Sequence, residues 1–321
     1  MSLHALIHGR SDVRQAFAAR VLRPTIRFDR GLQAPPRTTN YQAVGGAFDY
    51  LLRFHLQRLN PQARDGPWAA ERGVELICQR EGGAKGAAVT TLSGHSRALK
   101  AAAYLADAKR QHRAYLQVGR ITDNLLLAAH RLAHLDVAAR AGADRVDWNS
   151  INYLSPDDAA DLRALLALVD DKVFGTSRAC VLKPRFGAAE FVGGAEADII
   201  LGDCLIDVNS TKDQRIDVRD FFHLVACWLL LGLGGLAREG AAAAEQLPVT
   251  SVGIYFSRFG QLWKQPVEQI LPAAALPGVT RWFVETVCTH VEGARRLLGS
   301  LHGPLAAHLA ASGGNVAQGR K

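Results

Sequence analysis

Apolar and polar positions alternate with two different periods along this chain, and the change of period divides it. From Tyr41 to Leu59, Val44, Phe48, Leu51, Leu52, Leu56 and Leu59 recur at helical spacing and predict an amphipathic helix that Asn60-Pro61 stops. A shorter helical pattern covers 11–22, and GLQAPPRTTN (31–40) reads as a loop. Residues 86–143 are rich in Ala, Leu, Arg and Lys without Pro, which predicts helix. Another helix is expected from Pro156 to Lys172, with Ser155 as N-cap and Asp157 and Asp158 in its first turn. Beyond Gly175 the pattern becomes β-like. The runs CVLKPRF, AAEFV, ADIIL and CLIDV lie within 180–212, with turns at Gly193-Gly194 and Gly202-Asp203. A helix follows at Val218–Leu233, then a strand within 249–260 and a helix over about 279–310; the last ten residues, rich in Gly and Ala, are expected to fray.

These elements predict an α/β core with helical embellishment. Its informative stretch is GGAEADIILGDCLIDVNSTKD, residues 193–213. A turn at 202–203 folds two strands into a hairpin, with Asp198 at the start of one strand and Asp207 near the end of the next. Antiparallel pairing then brings the two carboxylates together at the hairpin's open end. Two carboxylates there can hold Mg²⁺ or Mn²⁺, hard cations that take oxygen ligands.

The segment resembles the active-site hairpin of the PD-(D/E)XK nuclease superfamily, in its RecB-like and restriction-endonuclease-like branches. Asp198 falls on the family's first Asp, and Asp207-Val208-Asn209 on its (D/E)-X-K triplet. Cys204-Leu205-Ile206 matches the buried run before the triplet, and Ser210-Thr211 the small polar pair after it. His223 and Trp228 stand where the next helix often carries Gln and an aromatic residue, and the strand with Tyr255, Ser257 and Arg258 matches the fourth core strand. The resemblance covers about 180–265. More loosely, the helix around Gly46-Phe48-Asp49 corresponds to the family's first core helix.

The resemblance implies a restriction-endonuclease-like core, a mixed four-stranded sheet flanked by helices, with a large helical insertion. The expected divisions are a basic region and first core helix at 1–65, the insertion at 66–175, the core at 176–265 and helices with a tail at 266–321. The implied activity is metal-dependent hydrolysis of phosphodiesters, DNA being favoured over RNA, with Asp198 and Asp207 as metal ligands. The family's lysine is replaced by Asn209, which can donate a hydrogen bond but carries no charge. Three readings follow: Lys212 substitutes for it, Asn209 suffices, or the site is dead and the fold binds nucleic acid or a partner without cutting. Nucleases of this type often dimerise to cut both strands, so a homodimer is compatible with the resemblance.

Other acidic and basic residues have plainer readings. Glu190 is expected on a strand facing solvent, against completing the metal site; Glu196 opposite to Asp198, against weak ligation; and Asp49 as a surface partner of Arg53, against a helical carboxylate that ligates the metal. His223 and Arg258 are candidates for phosphate contact, weighed against a packed histidine and a surface charge. His130 and His134, four apart on a helix, read as a solvated face.

Composition narrows the class. Apolar residues make up 48% of the 321, enough for a substantial core. Of the net charge of +8, the first sixty residues supply +6 through nine Arg against three Asp. Such a segment suits a polyanion. The five Cys, at 78, 180, 204, 227 and 288, form no CxxC, which argues against zinc and iron–sulfur sites and suggests reduced thiols in the cytoplasm. The longest apolar run, Leu224–Leu236, is too short to span a bilayer. No secretory signal is visible. EGGAKG (81–86) lacks P-loop spacing and LGLGGL (231–236) lacks the dinucleotide fingerprint.

Overall fold

The computed structural model describes residues 2–83, 96–237 and 244–288. The sequence-based expectations for 84–95, for the end of the C-terminal helix and for the tail lie outside these residues. Two short helices, α1 (Leu3–Gly9) and α2 (Ser11–Ala18), open the chain; α3 (Tyr41–Leu59) has the bounds that its apolar spacing predicts. Strand β1 (Arg64–Asp65) leads to α4 (Ala69–Gly83), α5 (Arg97–Val118) and α6 (Asp123–Ala141). Next comes α7 (Pro156–Ala167), where Ser155 accepts from the Asp158 amide as the N-cap reading requires. The helix expected to reach Lys172 stops at Ala167 and resumes as the single turn α8 (Asp171–Phe174), started by an Asp170 cap on the Lys172 amide.

The sheet follows. Its strands are β2 (Cys180–Leu182), β3 (Ile199–Leu201), β4 (Cys204–Asn209), β5 (Ser251–Phe256) and β6 (Gln261–Pro266). Between β4 and β5 runs α9 (Val218–Gly234), and α10 (Leu276–Thr286) ends the described chain. Six strands, rather than four, lie in the order β1-β2-β3-β4-β5-β6. β1 pairs parallel to β2, and β6 antiparallel to β5; these are the two additions. The β4–α9–β5 crossover is parallel, as a helical connection allows, and β2-β3-β4 is an antiparallel meander. AAEFV, expected as a strand, forms a 3-10 turn at Ala189–Val192, so Glu190 is not a strand residue.

Period-two alternation assigns the strand side chains to two cores. Val181, Ile200, Leu205, Val252, Ile254 and Phe256 pack with α1, α2, α9 and α10. Cys180, Leu182, Ile199, Cys204, Ile206 and Tyr255 pack with α3 through α7. The helices of 69–167 thus share one core with α3 and one face of the sheet. Gly73 permits the close α4–α6 approach, because a Cβ there would lie 2.1 Å from the Leu135 carbonyl oxygen. α9 is apolar over most of its surface because the sheet, α1 and α2 pack around it. No helix among the described residues is long and apolar enough to cross a membrane.

Several histidines are buried neutral. His112 stacks on Phe54 at 4.1 Å and meets Trp68 at 5.4 Å between ring centroids. Burial, and then Arg53 and Arg113, lower its pKa from 6.5 to about 4. His134 is also lowered to about 4 by burial and by His130, whose ring centroid lies 4.6 Å away; the pair is packed, not a solvated face. A ring neutral in the fold but titrating at 6.5 when unfolded contributes fully above that pH, and its contribution is lost as pH falls toward 4. Resistance to urea should therefore decline from about pH 7 to about pH 5. His112→Phe, which keeps the stack, should make that decline shallower; an unchanged pH dependence would contradict a neutral buried ring.

Candidate functional site at the open end of the hairpin

Gly202, at φ +60°, makes the turn that sets the hairpin's register. Leu201 pairs with Cys204, Ile200 with Leu205 and Ile199 with Ile206. One step further, Asp198 faces Asp207. Both lie on the α9 side of the sheet, by alternation with Ile200 and Leu205. Asp198 Oδ2 accepts from the Val208 amide at 2.7 Å. The carboxyl groups are within hydrogen-bond reach of each other.

Burial and the neighbouring Asp198 carboxylate push Asp207 well above the usual carboxylate range, with Asp220 adding to the effect. Burial opposes ionisation of Asp198 as well, but the Lys183 ammonium and the hydrogen bonds from Asp207, Lys183 and Val208 outweigh it and hold this carboxyl below its ordinary value. Two such close carboxyl groups resist ionising together, and Asp207 is the one whose pKa is pushed up.

Lys183 is the cation set against the pair. Its Nζ lies 2.5 Å from Asp198 Oδ1 and 2.9 Å from Asp49 Oδ1, so it joins the sheet rim to α3. Its backbone amide donates to the Asp198 carbonyl at 2.7 Å, which extends the β2–β3 ladder by one step. Burial disfavours the ammonium, yet Asp198 and Asp49 together raise its pKa above the ordinary value. Asp49 is thus the partner of Lys183. Arg53, its expected partner, instead bonds Asp65 at 2.6 and 3.1 Å and the Gly66 carbonyl at 2.9 Å.

The other sequence candidates separate. Asn209 Oδ1 accepts from the Thr211 amide at 2.8 Å, closing a turn that ends β4. Lys212 is exposed in the following loop and lines a shallow depression with Leu32, Asp213, Gln214, Arg215 and Phe259. Glu196 is exposed, and its carbonyl lies 3.4 Å from Cys227 Sγ. His223 stands on α9 beside the carboxylates. Burial, and then His4, lower its pKa to about 4 against the pull of Asp198, so the ring is neutral near pH 7. His4 meets it edge-on at 5.7 Å and stacks on His8 at 3.9 Å, and His8 Nε2 is 3.4 Å from Asp220 Oδ1. Trp228 donates to the Val249 carbonyl and serves packing.

Arg258 does not face solvent. It is 2% exposed and reaches both Asp161 oxygens at 2.8 and 3.1 Å, with further bonds to the carbonyls of Ala34 and Ser210. The strand-end position suggested a phosphate ligand, but this guanidinium is buried and spent on Asp161 and on backbone carbonyls.

Sequence reasoning missed Lys183. The available signal was a single charged residue closing the apolar run CVL and preceding Pro184. It also missed His4, which reaches the site only because α1 docks on α9.

Among the described residues no three His, Cys, Asp or Glu side chains form a ready ligand set. The donor chemistry still fits Mg²⁺ or Mn²⁺. Such ions often take only one or two protein carboxylates and fill the remaining positions with water and phosphate. Asp198 and Asp207 are two facing oxygen donors at one sheet rim. No family model, curated protein or solved structure matches the chain.

Removing one partner of the Arg258–Asp161 pair should cost roughly 3–5 kcal/mol, because it strands a buried charge. Urea unfolding of Arg258→Ala measures this. A loss below about 1 kcal/mol would mean that the pair is hydrated and Arg258 accessible.

Proposed function

We propose that this chain is a metal-dependent nuclease that hydrolyses phosphodiester bonds, with DNA as its substrate. The observation that carries the reading is the facing pair Asp198 and Asp207, held in register at the sheet rim. A divalent cation bound by these two oxygens would polarise a phosphoryl oxygen and make bound water more acidic.

The chain's own residues supply the remainder. The Val208 amide fixes the orientation of Asp198. α9 closes the apolar side through Cys227, whose thiol burial and the nearby carboxylates keep protonated. His223, neutral near pH 7, offers a nitrogen beside the carboxylates for a hydrogen bond to phosphate or water. Arg20, Arg23, Arg27, Arg30 and Arg37 are exposed, so most of the basic charge of the N-terminal region is available to a polyanion. Arg23 lines a depression with Gln214 and Arg215 on the loop that leaves β4.

A second reading has its own support. Asn209 is engaged in a turn and carries no charge, and Lys183 already neutralises Asp198. The protein would then bind nucleic acid without cutting it.

Incubation with linear and circular DNA and Mg²⁺ or Mn²⁺ tests the proposal. Cleavage by the native chain should fall by roughly a hundredfold or more in Asp198→Asn and Asp207→Asn. Lys212→Ala, altered only in the exposed loop, should cut within about threefold of native. Binding measured over a salt series should weaken steeply. Binding without cutting supports the second reading, and absence of both overturns the assignment to nucleic acid.

A further inference from the structure

Lys183 occupies an unusual position on several independent counts. It is the one described non-glycine residue with left-handed backbone geometry, at φ +48°. Pro184 follows it, and a proline disfavours helical conformations in the residue before it. Residues held in such a conformation persist where surrounding structure fixes them, and they concentrate at functional sites. Here the fixing is visible. The Lys183 amide is tied to the Asp198 carbonyl, and Gly66 allows β1 to pass so close that a Cβ there would lie 2.6 Å from the Lys183 carbonyl oxygen. The backbone is bent so that the ammonium, on the strand before the hairpin, reaches between Asp49 and Asp198.

We infer that Lys183 is a resident counter-cation which a divalent metal displaces from Asp198, and that its ammonium, retained by Asp49, takes the place of the lysine absent at Asn209. This rests on the nuclease reading given above. The physical argument is one of occupancy. Nζ lies at hydrogen-bond distance from Asp198 Oδ1, where a divalent cation would bind, and two cations cannot share one oxygen without strong repulsion. Displacement from Asp198 does not free the lysine, because Asp49 holds the same Nζ from α3, a separate element. The group moves a short way, remains at the rim beside Asp49 and keeps its charge there. Asp49 is therefore a positioning residue, and its role is to anchor the displaced ammonium. A resident competitor lowers apparent metal affinity by the fraction of molecules whose site it fills.

Mn²⁺ titration of the full-length chain by calorimetry tests this without needing cleavage. Lys183→Met should bind Mn²⁺ about tenfold tighter than native while cutting DNA about a hundredfold more slowly. A purely structural lysine would not move these two readouts in opposite directions. Asp49→Asn leaves Lys183 resting on Asp198 alone and should weaken Mn²⁺ binding by about threefold, which covers the case in which Lys183→Met does not fold. If native protein binds Mn²⁺ and Lys183→Met binds it no tighter, or Asp49→Asn binds it no more weakly, the inference is overturned and the nuclease reading is untouched. Tighter binding in Lys183→Met without any cleavage by native protein keeps the counter-cation and discards the nuclease. Unchanged cleavage by Lys183→Met overturns the substitution for the missing lysine. Absence of Mn²⁺ binding in all three overturns both readings.

Discussion

The structure depends most on the register of one hairpin. With the β3–β4 turn at Gly202-Asp203, Asp198 must face Asp207, and a slip by one residue would turn every side chain of β4 to the other layer. Leu205 and Ile206 resist that slip because each is buried in a different core. The two hydrophobic layers thus fix the register, and the register brings two acids together where they cannot both ionise freely. Local charge follows from this: the raised pKa of Asp207 and the ammonium held at Asp198 are responses to one forced juxtaposition, whereas the neutral ring of His223 follows from its burial and from His4.

Much of this was legible in the sequence because it is local. The α3 bounds, the Ser155 cap, the Gly202 turn and the facing of Asp198 and Asp207 are set by periodicity and by residues close together in the chain. What escaped is long-range. Lys183 and Asp49 are separated by 134 positions in the numbering, and nothing local to either requires the other. β6 follows β5 directly, yet its alternation is mixed with polar residues because it lies at the sheet edge. AAEFV has strand composition but is short and flanked by glycines, so a 3-10 turn wins. The likeness to a nuclease hairpin was read from the same local segment, and the order α3, β2, β3, β4, α9, β5 is compatible with it without establishing it.

Arg258 shows why a charge near a strand end does not announce its use. From sequence it resembles a ligand for phosphate. In the fold it draws Ala34, Asp161 and Ser210 together, and so ties the loop before α3, helix α7 and the end of β4 to β5. Arg53 acts similarly between α3 and β1 through Asp65 and Gly66. Both arginines use several donors at fixed angles, a task for which a planar guanidinium is suited. Setting aside Arg53, the exposed arginines of the N-terminal region, five of them within 20–37, are the part of its charge that can meet a partner.

The contrast between two buried clusters separates structural charge from charge held for use. Asp161 and Arg258 match one acid to one base, and the remaining donors end on carbonyls, so the cluster is complete. At the hairpin end Asp49, Asp198 and Asp207 gather about one ammonium, and Asp49 also feels Arg53 and Arg140, so the surplus acid lies in the Asp198–Asp207 pair. A fold needing only cohesion gains nothing from that surplus, since apolar groups of similar size pack there at less cost. The surplus pushes the Asp207 pKa upward, so that a proton there would relieve it. A second cation would relieve it equally well, and that unbalanced charge is the strongest physical reason to regard the hairpin end as a site and the Arg258 cluster as a brace.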